Sequence, residues 1–257
     1  MPEFCTVERD GRLLVVTLNR PEVMNALHPA ASRELEGVWD GFEADDGLWV
    51  AIVTGAGDRA FCAGNDLKAQ AAGGRPDTPA SGFGGLTARY EMVKPVIAAV
   101  NGIAMGGGFE IALACDLLVA SERAVFALPE PRVGMAALAG GVHRLPRQIG
   151  LKHAMGMLLT GRRVDAQEGL RLGFVNEVVP HGGTLAAARR WAEQILECAP
   201  LSVRASKEAA MRGLDAPGLR AAAETRFEQI SRMTKSADWV EGPRAFAEKR
   251  KPRWSGK

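Results

Sequence analysis

Two glutamates and three consecutive glycines in residues 96–130 are residue types suited to chemistry at a carbonyl group. Gly106–Gly108 stand at the predicted start of a helix, and Glu110 lies just inside it. Backbone N–H groups at a helix start favour negative charge, and glycine lets a ligand approach them closely. Glu130 follows Pro129 after two further apolar runs. The stretch therefore predicts a backbone that stabilises an anion beside two carboxylates on separate elements.

Strand and helix patterns alternate around this stretch. Strands are predicted at residues 13–18, 48–54, 96–100, 117–120, 125–128 and 174–179, with a hairpin signal at Asp10-Gly11. A helix beginning near Pro29 is indicated by apolar residues at helical spacing, which are Leu35, Val38, Trp39 and Phe42. Residues 85–93 are predicted as a short helix, and Asp165 with Glu168 has the pattern of a capping box.

From residue 184 onward the pattern becomes almost entirely helical, with predicted helices at residues 184–198, 201–212 and 219–235. We find no internal repeat of fixed period and no clean linker. The economical interpretation is an α/β core over residues 1–195 followed by a C-terminal helical segment over residues 196–257.

The composition limits the classes of protein to consider. The chain has 257 residues, 47% of them hydrophobic, and a formal net charge of +2, which is too mild to favour nucleic-acid binding. No apolar run approaches the ~20 residues of a membrane helix, and the N-terminus lacks a signal-peptide pattern. The four cysteines have neither paired nor metal-like spacing. We therefore expect a cytoplasmic protein that binds neither membrane nor nucleic acid and holds no metal.

One short glycine pattern suggests a different class of enzyme. Gly55-Ala56-Gly57 with Ala60 formally fits the dinucleotide fingerprint after a strand. That fingerprint has to open into a long helix, but residues 63–66 interrupt it and residues 71–85 form a Gly/Pro/Ser-rich loop. We reject the fingerprint on this context, although binding of a nicotinamide cofactor would revive a dehydrogenase. The loop either covers a site or is a surface insertion.

Several spaced segments resemble the crotonase (enoyl-CoA hydratase/isomerase) superfamily. They are LNRPEVMNAL at residues 18–27, AFCAGNDLK at 60–68, KPVIAAVNGIAMGGGFEIALACD at 94–116, FALPEPRVGM and GGVHRLPRQIG within 126–150, and EGPRAFAEKRKPRW at 241–254. FGGLT, FALPE and the last segment are also similar to the carnitinyl-CoA dehydratase branch. The resemblance implies a spiral of ββα turns followed by C-terminal helices that mediate trimer assembly, hence a homotrimer or a dimer of trimers.

The resemblance also implies an acyl-CoA thioester as substrate, with CoA as part of the substrate and no separate cofactor. The backbone N–H groups of Asn65 and Gly107 correspond to the family's oxyanion hole. Glu110 and Glu130 correspond to its two catalytic glutamates. The strip that contacts the CoA moiety corresponds to Ala63, Asp66, Leu67 and Lys68; Lys68 either lies near a phosphate or is an ordinary surface lysine.

The glutamate pair favours one reaction within the family. Adding water to a conjugated C=C bond requires one group to take a proton from water and another to deliver a proton to the α-carbon. One ionised and one protonated carboxyl can do both. The leading hypothesis is therefore a lyase, a 2-enoyl-CoA hydratase of fatty acid metabolism. An isomerase, a hydrolase, a carnitinyl-CoA dehydratase and a non-catalytic oligomeric scaffold are the alternatives. The family's proline-containing turn is replaced here by residues 134–141.

Overall fold

The computed structural model describes residues 2–67 and 78–257. The chain begins with an antiparallel hairpin of β1 (Cys5–Asp10) and β2 (Leu13–Leu18). Gly11 turns the hairpin with φ = 57°, a left-handed conformation that glycine adopts without steric cost. The hairpin signal at Asp10-Gly11 is thus confirmed.

A six-stranded sheet continues from β2 in the order β1-β2-β3-β5-β7-β10 and is parallel beyond β2. Its further strands are β3 (Val50–Gly55), β5 (Val96–Val100), β7 (Leu117–Ser121) and β10 (Glu177–Val179). Every residue of β3 and β5 is buried, as expected for strands covered on both faces. Ala51 and Val53 pack in a cluster with Trp39, whereas Val50 and Ile52 pack in a second cluster with Ala188.

A smaller sheet has the order β4-β6-β8-β9. Its strands are β4 (Ala60–Cys62), β6 (Ile103–Met105), β8 (Val125–Ala127) and β9 (Val164–Asp165). In the pairs β3/β4, β5/β6 and β7/β8 the first strand belongs to the large sheet and the second to the small one. Successive pairs therefore wind as a spiral, which confirms the ββα spiral.

The helices of the described residues flank and follow this spiral. They are α1 (Pro29–Ala44), α2 (Gly107–Ala114), α3 (Gly141–Ile149), α4 (Leu151–Thr160), α5 (Ala166–Leu172), α6 (Thr184–Leu196), α7 (Pro200–Gly213), α8 (Leu219–Glu224), α9 (Glu228–Thr234) and α10 (Ala237–Ala247). The Asp165 carboxylate accepts the Glu168 N–H at 2.7 Å, which confirms the predicted cap. In the described part of the chain, no helix is both long and apolar enough to cross a membrane.

Two predicted helices were wrong. Residues 85–93 form turns, because Gly84 and Gly85 have positive φ and the backbone of Gly85 is in close contact with α1. A β-carbon on Gly85 would lie 2.3 Å from the Glu36 backbone nitrogen, so the glycine permits this close approach. The helix predicted at 219–235 divides into α8 and α9, since Thr225 has extended backbone with ψ = 134°. The division at residue 195 and the trimerisation role of the C-terminal helices stay predictions.

Candidate active site

Four of the residues singled out from the sequence line one cavity of about 210 Å³. They are Asn65, Gly107, Glu110 and Glu130. They come from the segment after β4, the first turn of α2 and the segment after β8. The spiral therefore gathers residues that are up to 65 positions apart (130 − 65) in the sequence.

The two backbone segments of the predicted oxyanion hole touch each other at Gly64. Gly64 has φ = 93°, and a β-carbon on it would lie 2.7 Å from Met105 O and 3.1 Å from Gly107 N. Leu27 donates its N–H to Gly64 O at 2.9 Å and accepts the Asp66 N–H at 3.0 Å. In an extended chain successive N–H groups alternate in direction. The N–H group of Asn65 therefore points away from Leu27.

Glycine at position 107 is required by the ring that lies on it. A β-carbon there would come within 2.5 Å of Phe83 Cε1, and one on Gly108 within 2.0 Å of Cys62 O. Both glycines belong to the N-terminus of α2, where backbone N–H groups have no partner within the helix. The cavity therefore meets the positive end of a helix dipole, and neither glycine places a side chain there.

Glu110 is a buried carboxyl held by a backbone N–H group. It is 3% exposed, and its Oε1 accepts the Gly141 N–H at 2.8 Å. Burial raises the pKa of Glu110 to about 7, and the neighbouring charge of Glu130 acts in the same direction. The N–H groups of Gly141 and Ala139 and the guanidinium of Arg144 oppose this increase. Glu110 can therefore exchange a proton near neutral pH.

Glu130 presents a carboxyl oxygen to the same space. It begins a 3-10 turn, Glu130–Val133, directly after Pro129. Its Oε2 is buried and has no hydrogen-bond partner among the described residues, while a β-carbon on Gly106 would lie 3.1 Å from its Oε1. Burial raises the pKa of Glu130. Two neighbouring carboxyls with raised pKa values can share one proton, so that one donates while the other accepts.

None of the described residues of the strip predicted to contact CoA is among those that line this cavity. Among the described residues of the strip, Ala63 donates its N–H to Met24 O at 3.0 Å, and the Asp66 carboxylate is 3.2 Å from the Arg20 guanidinium. Leu67 is 47% exposed. Lys68 lies outside the described residues. Contact of these four residues with CoA stays a prediction.

Known proteins resemble this chain in sequence and in fold. The profile of the family described as enoyl-CoA hydratase/isomerase matches residues 8–257. The chain belongs to this family. Carnitinyl-CoA dehydratase from Proteus mirabilis (strain HI4320) is 46% identical over 261 residues, 96% of each chain. The protein of that name from Citrobacter koseri is 44% identical over 262 residues, all of each chain.

Solved structures of the family share the fold. The crystal structure of enoyl-CoA hydratase from Mycobacterium tuberculosis H37Rv matches with a TM-score of 0.92 and 40% identity, over 99% of each chain. That of enoyl-CoA hydratase from Bacillus anthracis matches with a TM-score of 0.91 and 35% identity, over 99% of this chain and all of the other. The crotonase resemblance and the local similarity to carnitinyl-CoA dehydratase are both confirmed. The chain is thus an enzyme of the crotonase family with hydratase/dehydratase chemistry on acyl-CoA.

Sequence reasoning missed several residues that shape this crotonase-family site. Phe83, which lies on Gly107, falls in a loop without periodicity, and Ala139 and Gly141, which hold Glu110, lie in the glycine-rich segment after Glu130. The pair Gly140-Gly141 was the available signal, since adjacent glycines mark a close backbone approach. Within the described ranges, 2–67 and 78–257, no cluster of metal-ligating side chains is found.

Proposed function

We propose that this crotonase-family enzyme adds water reversibly across the C2=C3 bond of a 2-enoyl-CoA thioester to give a 3-hydroxyacyl-CoA. The observation that carries the proposal is that both glutamates and both predicted oxyanion donors line one cavity. The acyl group is bound with its thioester oxygen at the backbone N–H groups of Asn65 and Gly107. As negative charge develops on that oxygen, each donor contributes roughly 3–4 kcal/mol.

The glutamates move the protons of the reaction. One carboxylate of the Glu110/Glu130 pair takes a proton from water while the oxygen of that water bonds to C3. The C=C electrons move onto the thioester as an enolate, which then takes a proton at C2 from the other, protonated carboxyl. The sum of the steps is addition of one water, and the pair again holds a single proton. Dehydration is the same sequence reversed.

The remaining features of the enzyme follow from the same proposal. Ala63, Asp66, Leu67 and Lys68 contact the CoA portion, and no cofactor is needed because CoA belongs to the substrate. We also propose a cytoplasmic homotrimer or dimer of trimers, assembled through the C-terminal helices. Exposed apolar side chains on those helices support the assembly: Leu219 is 87% and Phe246 88% exposed in the single chain.

A second candidate is dehydration of carnitinyl-CoA. The observation that favours it is the identity of 43–46% over 96–100% of the chain to proteins of that name. Carnitinyl-CoA is itself a 3-hydroxyacyl-CoA that carries a trimethylammonium group on C4. Loss of its hydroxyl therefore needs the same enolate stabilisation and the same pair of carboxyls, and only the contacts of the acyl end differ.

The test is a panel of thioesters with the products read by mass spectrometry. Short, long and branched 2-enoyl-CoAs are incubated with the enzyme, alongside crotonobetainyl-CoA and carnitinyl-CoA. We expect gain or loss of one water; preference for the trimethylammonium compounds would select the second candidate. An isomerase leaves the mass unchanged and a hydrolase releases free CoA, so either product overturns the proposal. Absence of turnover across the panel overturns it as well.

A further inference from the structure

Arg144 connects two walls of the active-site cavity, the turn at residues 139–141 and the turn at residues 83–87. It lies in the first turn of α3, and its guanidinium is half-buried. Its Nη2 donates to Thr87 O at 2.7 Å, and its Nη1 donates to Ala139 O at 3.4 Å. A β-carbon on Gly140 would lie 2.0 Å from Nη1, so the bare turn at Gly140 makes room for the guanidinium.

The wall on the Ala139 side holds the buried acid. The Gly141 N–H donates to the Glu110 carboxyl at 2.8 Å, and the backbone of Ala139 also lowers the pKa of that carboxyl. Arg144 bonds the carbonyl of Ala139, and its own N–H bonds Gly140 O at 2.8 Å. The arginine thus fixes the short turn whose Gly141 N–H orients the carboxyl.

The wall on the Thr87 side covers the helix start. Thr87 is buried, and its N–H approaches Phe83 O at 3.4 Å in the turn that follows Phe83. The Phe83 ring lies against the α-carbon of Gly107. A bond to Thr87 O therefore ties the ring over Gly107 to the turn that holds Glu110.

We infer that Arg144 is a positioning residue for the hydration reaction, one that sets the Glu110 carboxyl relative to the N–H of Gly107 by joining the two walls. The inference rests on the proposed function for its kinetic consequences. The effect of Arg144 on the Glu110 carboxyl can be measured without substrate. Bidentate bonding from two separate nitrogens is a property of the arginine fork that a lysine ammonium does not reproduce.

The arginine also acts on Glu110 through its charge. The groups that face Arg144 are Tyr90, whose ring centroid is 5.6 Å from its Cζ, Cys115 and Glu110. The charged groups that face Glu110 are Glu130 and Arg144. Since a cation favours the ionised carboxyl, loss of the cation moves the pKa of Glu110 further upward. Geometry and charge can therefore be separated by two substitutions.

The experiment compares Arg144→Lys and Arg144→Met with Arg147→Met. Arg147 lies on the same helix and is exposed, and within residues 2–67 and 78–257 its side chain bonds only to His143 O, so it is a matched control. We measure kcat and KM for crotonyl-CoA, the Kd for the unreactive butyryl-CoA, and thermal unfolding from pH 4 to pH 9. Arg144→Lys is expected to lose about a hundredfold in kcat, the cost of a misplaced catalytic group, with the Kd and the pH dependence kept.

Arg144→Met is expected to lose kcat similarly and also to move the alkaline limb of the rate profile to higher pH. The pH at which this variant loses stability moves to a higher value in the same way. This second readout needs no turnover. If the wild type hydrates no thioester, the proposed function fails while the unfolding data still test Arg144. The inference is overturned if both Arg144 variants keep the kcat and the pH dependence of Arg147→Met, or if Arg144→Lys restores full kcat.

Discussion

The Oε1 atom of Glu110 accepts the backbone N–H of Gly141 at 2.8 Å, across 31 residues of sequence. The orientation of the buried acid is therefore set by the backbone of a turn rather than by a neighbouring side chain. A β-carbon on Gly141 would lie 3.0 Å from that oxygen and 2.9 Å from Ala137 Cβ. The glycine is needed because no room exists between the carboxyl and the turn.

Gly141→Ala is expected to displace the Glu110 carboxyl and reduce kcat by about a hundredfold, because the carboxyl is the group that can move. The control is Gly156→Ala in α4, where nothing lies within 4 Å of the added methyl group. Steady-state kinetics with crotonyl-CoA measures the effect. Equal kcat values for the two variants would show that the contact between Gly141 and Glu110 has no role in catalysis.

The dependence of the rate on pH follows from the shared proton. Burial raises the pKa of Glu110 from 4.5 to about 7, so the pair loses its last proton as the pH rises through that value. The rate then falls because no carboxyl remains to protonate C2. At low pH both carboxyls are protonated and the base is lost, which gives a bell-shaped profile of kcat/KM. A profile that stays flat from pH 6 to pH 9 would contradict a shared proton.

The same shift links pH to stability. Because the pKa of Glu110 is raised in the folded state, its protonation stabilises the fold fully below about pH 4.5, and this contribution is lost as the pH rises through about 7. The loss amounts to roughly 3 kcal/mol. Glu110→Gln cannot ionise and is expected to gain stability over the wild type between pH 5 and pH 8, measured by denaturant unfolding. Glu193→Gln, on the exposed face of α6, is the control; a parallel pH dependence of Glu110→Gln and wild type would refute the link.

One part of the site, the start of α2, was predictable because its residues are local in sequence. Gly107 and Glu110 lie three positions apart on one helix, so glycine at a helix start and a carboxyl one turn later are visible as a pattern. Strands of the large sheet were found for a similar reason, since β5 is apolar throughout and β3 begins with four apolar residues. Local pattern and final structure agree wherever one element decides the geometry.

The contacts between elements were not predictable in this way. Phe83 over Gly107 and Arg144 between Thr87 and Ala139 depend on how separate turns meet, which no periodicity records. The wrong helix at residues 85–93 has the same origin, because packing of Gly85 on α1 decided that segment. Tertiary contact thus overrode local preference in the loops that complete the site.

Gly107→Ala tests the backbone donor and the ring that covers it. Its methyl group would come within 2.5 Å of Phe83 Cε1, so we expect a loss of about 1–3 kcal/mol in stability and a 10²- to 10³-fold loss in kcat, roughly the value of one oxyanion donor. Adding Phe83→Ala removes the obstacle. We therefore expect the kcat of the double variant to recover at least about a tenth of the kcat that Gly107→Ala loses. If the single variant retains the wild-type kcat, the close contact between Phe83 and Gly107 does not position the catalytic donor.

The most direct measurement follows the oxygen that is added to C3 and the hydrogen that is added to C2. Crotonyl-CoA is incubated with the enzyme in ¹⁸O-labelled heavy water, and the product is examined by mass spectrometry and NMR. The proposed mechanism predicts a 3-hydroxybutyryl-CoA with one ¹⁸O on C3 and one deuterium on C2, and loss of this product with Glu110→Gln or Glu130→Gln, both of which should still bind butyryl-CoA. A hydrated product without the ¹⁸O on C3 or without the deuterium on C2, or labelled product formed at the wild-type rate by either variant, would contradict it.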